Sequence, residues 1–113
     1  MQVKLKEKEG IVSCYISEEI NIDTVADLKD VFKKILCDNS RKVILNFRDL
    51  DYIDSAGLAC LIQFSQDLRN IQGALFLSDV SPKVRSIFAI TKLEKAFKIY
   101  EEEAEALKDF YGY

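Results

Sequence analysis

Val43-Ile44-Leu45-Asn46-Phe47-Arg48-Asp49-Leu50-Asp51-Tyr52-Ile53-Asp54-Ser55-Ala56-Gly57-Leu58 is the stretch that decides the fold. Val43, Leu45 and Phe47 alternate with Lys42, Ile44, Asn46 and Arg48, and the apolar Ile44 on the second face predicts a central strand covered on both sides. Asp49 to Asp54 then reads as a short acidic turn. Beyond it Leu58, Leu61, Ile62, Ser65 and Leu68 recur at helical spacing, with Cys60, Phe64 and Ile71 widening the stripe, so a well-buried helix follows. That places Ser55 at a helix start, where backbone N–H groups lack intrahelical partners and the peptide dipoles leave partial positive charge. A serine there can cap the helix through its hydroxyl or carry a phosphate, and the local residues leave both readings open.

Outward from this stretch the chain keeps alternating between the two periods. Val3 to Lys8 and Ile11 to Ser17 are short alternating runs joined by Glu9-Gly10, which predicts an antiparallel hairpin. From Thr24 the spacing becomes helical, with Val25, Leu28, Val31, Phe32, Ile35 and Leu36 on the apolar stripe and Asn21, Asp23 or Thr24 available as a cap. Asp38-Asn39-Ser40 ends that helix, and Gln72-Gly73 ends the next. Ala74 to Leu77 is a short strand, and Ser81-Pro82 opens a third helix with a capping hydroxyl before a first-turn proline; Val84, Ile87 and Phe88 face the core. Phe97 to Tyr100 reads as a final strand and Glu101 to Phe110 as an amphipathic helix with Ala104, Leu107 and Phe110 inward. The succession predicts an α/β fold: residues 1–113 as one domain, with a mixed sheet of four to five strands and about four helices packed on it.

Composition narrows the chemistry. The net charge is -3 with lysines and acids interspersed, which does not supply the broad basic face that nucleic acid requires. The longest apolar stretch, Ala56 to Ile62, is far shorter than the roughly 20 residues that cross a bilayer, and Met1-Gln2-Val3-Lys4 lacks a signal segment, so a cytoplasmic location is expected. The absence of histidine removes Ser-His-Asp and Cys-His catalysis and His-ligated metals. No glycine-rich phosphate cradle can be built from glycines at 10, 57, 73 and 112, and no cofactor is expected. Cys14, Cys37 and Cys60 are spaced for neither a disulfide framework nor a zinc site and read as reduced, mostly buried packing residues. Asp49, Asp51 and Asp54 alternate along the turn without needing to converge, so they read as solvating and capping groups and not as a metal site.

The opening stretch resembles the signature of bacterial anti-sigma factor antagonists, the small single-domain STAS proteins, and Ser81-Pro82-Lys83-Val84-Arg85 and Leu93-Glu94-Lys95-Ala96-Phe97-Lys98-Ile99-Tyr100 look like the family's later segments in order and spacing. Where the family usually carries G-E-L-D before the first helix, this chain has Glu18-Glu19-Ile20-Asn21, and Lys92 stands where a glycine is common. The resemblance implies that Ser55, directly after the motif aspartate, is the phosphoacceptor, with Ala56 at the second motif position leaving no neighbouring hydroxyl. It implies a non-enzymatic binding module whose partner is an anti-sigma factor with serine kinase activity. The resemblance further implies that ATP belongs to that kinase and that a phosphoserine phosphatase is available to reset the switch. Asn21, Asp51, Asp54, Ala56, Gly57 and Leu58 are the expected contact residues around Ser55. Gly57 can equally let helix and sheet pack closely, and Leu58 can equally belong to the core. A monomer or weak dimer suits such a switch; the alternative is a STAS scaffold domain of a larger sensory complex that makes little use of Ser55.

Overall fold

A computed structural model describes residues 1–112. The hairpin of β1 (Gln2–Lys8) and β2 (Ile11–Ile20) pairs Lys8 with Ile11 across Glu9-Gly10. Glu9 and Gly10 have φ of 53° and 80°, the positive values that let a two-residue turn follow the twist of its strands. The chain continues through α1 (Val25–Cys37), β3 (Lys42–Asn46), β4 (Leu50–Ile53), α2 (Ser55–Asn70), β5 (Ala74–Ser78), α3 (Pro82–Ile90), β6 (Lys98–Tyr100) and α4 (Glu103–Tyr111). The sheet runs β1-β2-β3-β5-β6, and every pair but β1–β2 is parallel.

Period-2 alternation sorts the sheet's side chains between two cores. Val12, Cys14, Val43, Leu45, Leu75 and Leu77 pack with Leu28 and Phe32 of α1, Leu61 and Phe64 of α2, and Val84 and Phe88 of α3. Ile11, Ile44 and Phe76 point the other way, onto Ala106 and Phe110 of α4. The rings of Phe32 and Phe64 stack at 3.9 Å on the first face, as do those of Phe76 and Phe110 on the second. Ile44 is fully buried on that second face, as the sequence pattern predicts for a covered central strand.

Three expectations are corrected. The sheet has six strands, because Leu50–Ile53, within the stretch read as a turn, is a strand. β2 is long enough to serve two partners in line: Ile11–Tyr15 pairs with β3, and its overhang from Glu18 to Ile20 pairs with β4. On α4 the inward alanine is Ala106 and Ala104 is exposed, since the helix starts at Glu103 under a capping box of Glu102 and Glu105. Gln72, with φ 59°, takes the left-handed position after α2. Gly73 serves a different need: a Cβ there would lie 2.5 Å from the Arg41 carbonyl oxygen.

Candidate functional site

Asp54 organises the turn before α2. Its backbone is extended (φ -99°, ψ -175°), the geometry of an N-cap, and its Oδ1 accepts from the Gly57 N–H at 3.0 Å. Its Oδ2 accepts from the Ile22 N–H at 3.0 Å, and its own N–H donates to the Ile20 carbonyl at 3.0 Å. One carboxylate therefore caps the helix and ties down the β2–α1 loop.

Because Asp54 takes the capping role, Ser55 is released from it. Ser55 is the first residue of α2, is exposed, and has no hydrogen bond to its Oγ among the described residues. No acid occupies the first turn of α2, so the free N–H groups and the helix dipole act on this hydroxyl's surroundings without a competing carboxylate inside the helix. Ala56, half-buried, follows it.

Of the expected contact residues, the structure gathers Asn21, Asp54 and Ala56 around the helix start and leaves Asp51 exposed on β4. Asn21 uses its amide oxygen within the loop, accepting from the N–H groups of Asp23 at 2.9 Å and Thr24 at 3.1 Å. An oxygen acceptor is all this loop asks for, so asparagine does the work of an aspartate here. Gly57 and Leu58 present no side-chain surface: Leu58 is 4% exposed within the larger core. A Cβ on Gly57 would stand 2.6 Å from Ile53 Cγ1 and 2.7 Å from Ile20 Cγ2, so this glycine lets α2 close onto β2 and β4. Two apolar side chains that sequence reasoning passed over stand exposed beside the turn, Ile22 at 70% and Tyr52 at 40%. Ile22 lies two residues past Ile20, the end of β2, and three before Val25, the start of α1, so either period would count it as buried and no pattern in the sequence marks it as exposed.

The remaining candidate groups sort differently. Asp49 lines a groove of about 520 Å³ with Lys4, Tyr15, Asn46 and Arg48. Among the described residues no three acidic, Cys or His side chains are placed to hold a metal ion. Burial pushes the Cys14 thiol up to about 12 and also raises Cys60, so neither is a ready thiolate. Cys37, in contrast, is exposed at the end of α1. Among the described residues no helix is long and apolar enough to cross a membrane.

A mixed sheet with three helices on one face and one on the other, displaying an unengaged serine at a helix start, defines a compact α/β module. The chain belongs to the STAS domain family, whose model matches residues 2–106. It is 26% identical over 86 residues to the anti-sigma-B factor antagonist of Staphylococcus aureus, covering 76% of this chain and 80% of that protein. The crystal structure of TM1081 from Thermotoga maritima superposes with a TM-score of 0.89 at 25% identity, over 95% of this chain and 92% of that one. The phosphorylated form of the Bacillus cell fate determinant SpoIIAA shares the fold, with a TM-score of 0.73 at 21% identity over 96% of this chain and 99% of that one.

Proposed function

We propose that this protein is an anti-sigma factor antagonist that works by partner switching in the cytoplasm. Unmodified, it binds an anti-sigma factor that is also a serine kinase, and the sigma factor is freed. Phosphorylation of Ser55 ends that binding, and a phosphoserine phosphatase restores it. The observation that carries this reading is the exposed, unengaged Ser55 hydroxyl at the first position of α2, with capping delegated to Asp54. The name borne by the Staphylococcus aureus relative supports the partner class, and the phosphorylated SpoIIAA structure supports a phosphate on this fold.

The physical account follows from charge. A phosphoserine brings about -1.5 to -2 charges and three acceptor oxygens. At the start of α2 the helix end favours that anion by roughly 0.3 to 1 kcal/mol, so the isolated protein tolerates it. In a complex the same group would sit beside Asp54, with Asp51 on the preceding strand, and would have to shed water against like charge. Ile22 and Tyr52 supply the apolar part of the contact surface, Asn21, Asp51, Asp54 and Ala56 the rest, and Gly57 and Leu58 act from beneath by setting the helix position. The protein contributes no catalytic group of its own. The test is to measure affinity of an anti-sigma kinase for Ser55→Ala and for Ser55-phosphorylated protein: tight binding by the alanine variant and at least tenfold weaker binding by the phosphoprotein are expected, and equal binding would refute the switch.

A further inference from the structure

Among the described residues the sheet leaves three strand edges unpaired, and only one of them is long. β6 has three residues and β4 four, whereas β1 runs for seven, Gln2–Lys8, with β2 as its one strand partner. Short edges offer little to a foreign strand; a long one is a template whose N–H and C=O groups point outward.

The two faces of β1 differ sharply. On one, Gln2, Lys4, Lys6 and Lys8 lie across from Ser17, Tyr15, Ser13 and Ile11, so β2 supplies no carboxylate opposite any of the three lysines. Among the described residues no ion pair engages Lys4, Lys6 or Lys8. α4 packs on β3, β5 and β6 and brings one carboxylate to this face, that of Glu103, which accepts from the Tyr15 hydroxyl at 2.9 Å, across from Lys4; Lys6 and Lys8 face Ser13 and Ile11. The groove of about 520 Å³ bordered by Lys4, Tyr15, Asn46 and Arg48 opens at the end of this row, adding a fourth cation; Asp49 lines it, and Asp79 and Glu103 accept from its Asn46. On the other face, Val3 and Leu5 lie across from Ile16 and Cys14, which are buried, while Leu5 itself is 45% exposed. Among the described residues β1 thus carries three lysines without an ion pair on one side and, on the other, a partly buried Val3, an exposed Leu5 and then Glu7, in a chain whose net charge is -3.

We propose that the free edge of β1 accepts an extended segment of a partner protein in which acidic and apolar residues alternate. Added as a further strand, such a segment sets its carboxylates beside Lys4, Lys6 and Lys8 and its apolar side chains beside Val3 and Leu5, with main-chain hydrogen bonds supplying the remainder. A second copy of this chain is a poor occupant. Antiparallel pairing of two β1 edges about Leu5 would place Lys4 opposite the other copy's Lys6 and Lys6 opposite its Lys4, like charge against like charge. A bare polyanion such as nucleic acid would satisfy the lysines and leave Leu5 uncovered. This site is separate from Ser55 and does not depend on the switching mechanism.

The experiment uses isotope-labelled protein titrated with a capped seven-residue peptide alternating glutamate and valine, followed by amide shifts. Saturable shifts confined to β1 and its neighbours in β2 are expected. A variant carrying Lys4→Glu, Lys6→Glu and Lys8→Glu should bind at least tenfold more weakly and should take up the lysine–valine peptide instead. Circular dichroism and the single Lys6→Glu variant, expected to weaken binding severalfold, guard against loss of fold. Absence of saturable shifts would show that the lysines only keep the edge solvated and would overturn the proposal. Equal binding of a glutamate–serine peptide or of single-stranded DNA would overturn it as well, in favour of plain polyanion attraction.

Discussion

At the residue scale, Asp54 and Ser55 divide two tasks that a single serine could have combined. Since the cap belongs to Asp54, Asp54→Ala should cost about 1 kcal/mol of stability and loosen the β2–α1 loop through the lost Ile22 bond. Ser55→Ala should stay within about 0.5 kcal/mol of the parent. Urea unfolding of both variants checks this, and a large loss on Ser55→Ala would return the serine to a structural role. Gly57→Ala should be the more damaging change, about 1 to 3 kcal/mol, because its Cβ meets Ile53 and Ile20, both fully buried and β-branched. The same unfolding series measures it. Ser55 was recognisable in the sequence through its motif; that it is free of capping duty was not, because aspartate and serine are both good caps and only backbone geometry chooses between them.

At the element scale, the first three helices end alike. Asn39, Gln72 and Lys92 take φ of 57°, 59° and 59°, and the N–H of the residue after each reaches back to Ile35, Leu68 and Phe88 respectively. This is the Schellman arrangement, in which glycine is the least strained occupant of the left-handed position. Lys92 therefore holds a conformation that costs a side chain about 1 kcal/mol. Lys92→Gly should raise the midpoint of thermal unfolding by a few degrees, a gain of roughly 0.5 to 1 kcal/mol, and calorimetry would show it. A lower midpoint would contradict this reading of the helix end. Glu18 likewise has positive φ, 73°, at the register shift where β2 passes from β3 to β4. These ends also show what the sequence conceals. Periodicity located the three helices on the main core and β1, β2, β3 and β5, because those stripes are long and face one large core. It missed β4, whose four residues have burial that follows no two-residue period: Leu50 and Ile53 are buried with two exposed residues between. It misplaced the inward alanine of α4 because a capping box of glutamates shifted the helix start.

At the scale of the whole molecule, the buried sheet and the exposed start of α2 titrate and react independently. Cys14 is buried among the strands and its thiol is raised from 9.0 to about 12. An acid group whose folded pKa lies above its unfolded value stabilises below the unfolded value and loses that contribution as pH rises toward the folded one. Stability should therefore fall between pH 9 and 12 more steeply in the parent than in Cys14→Ala, as unfolding titrations across that range would show. Over the same fold, the solvent-facing end of α2 is free to change charge without disturbing packing, since Ser55 touches neither core. On the proposed switching reading, affinity for the partner responds to a phosphate while the fold stays as it is. The most direct measurement is mass spectrometry of the protein recovered from its native cells while the anti-sigma kinase is active, reading the peptide that spans Asp54 to Leu58. Acid-stable phosphate on Ser55 is the predicted result; an unmodified peptide, or phosphate found only at other residues, would contradict the account.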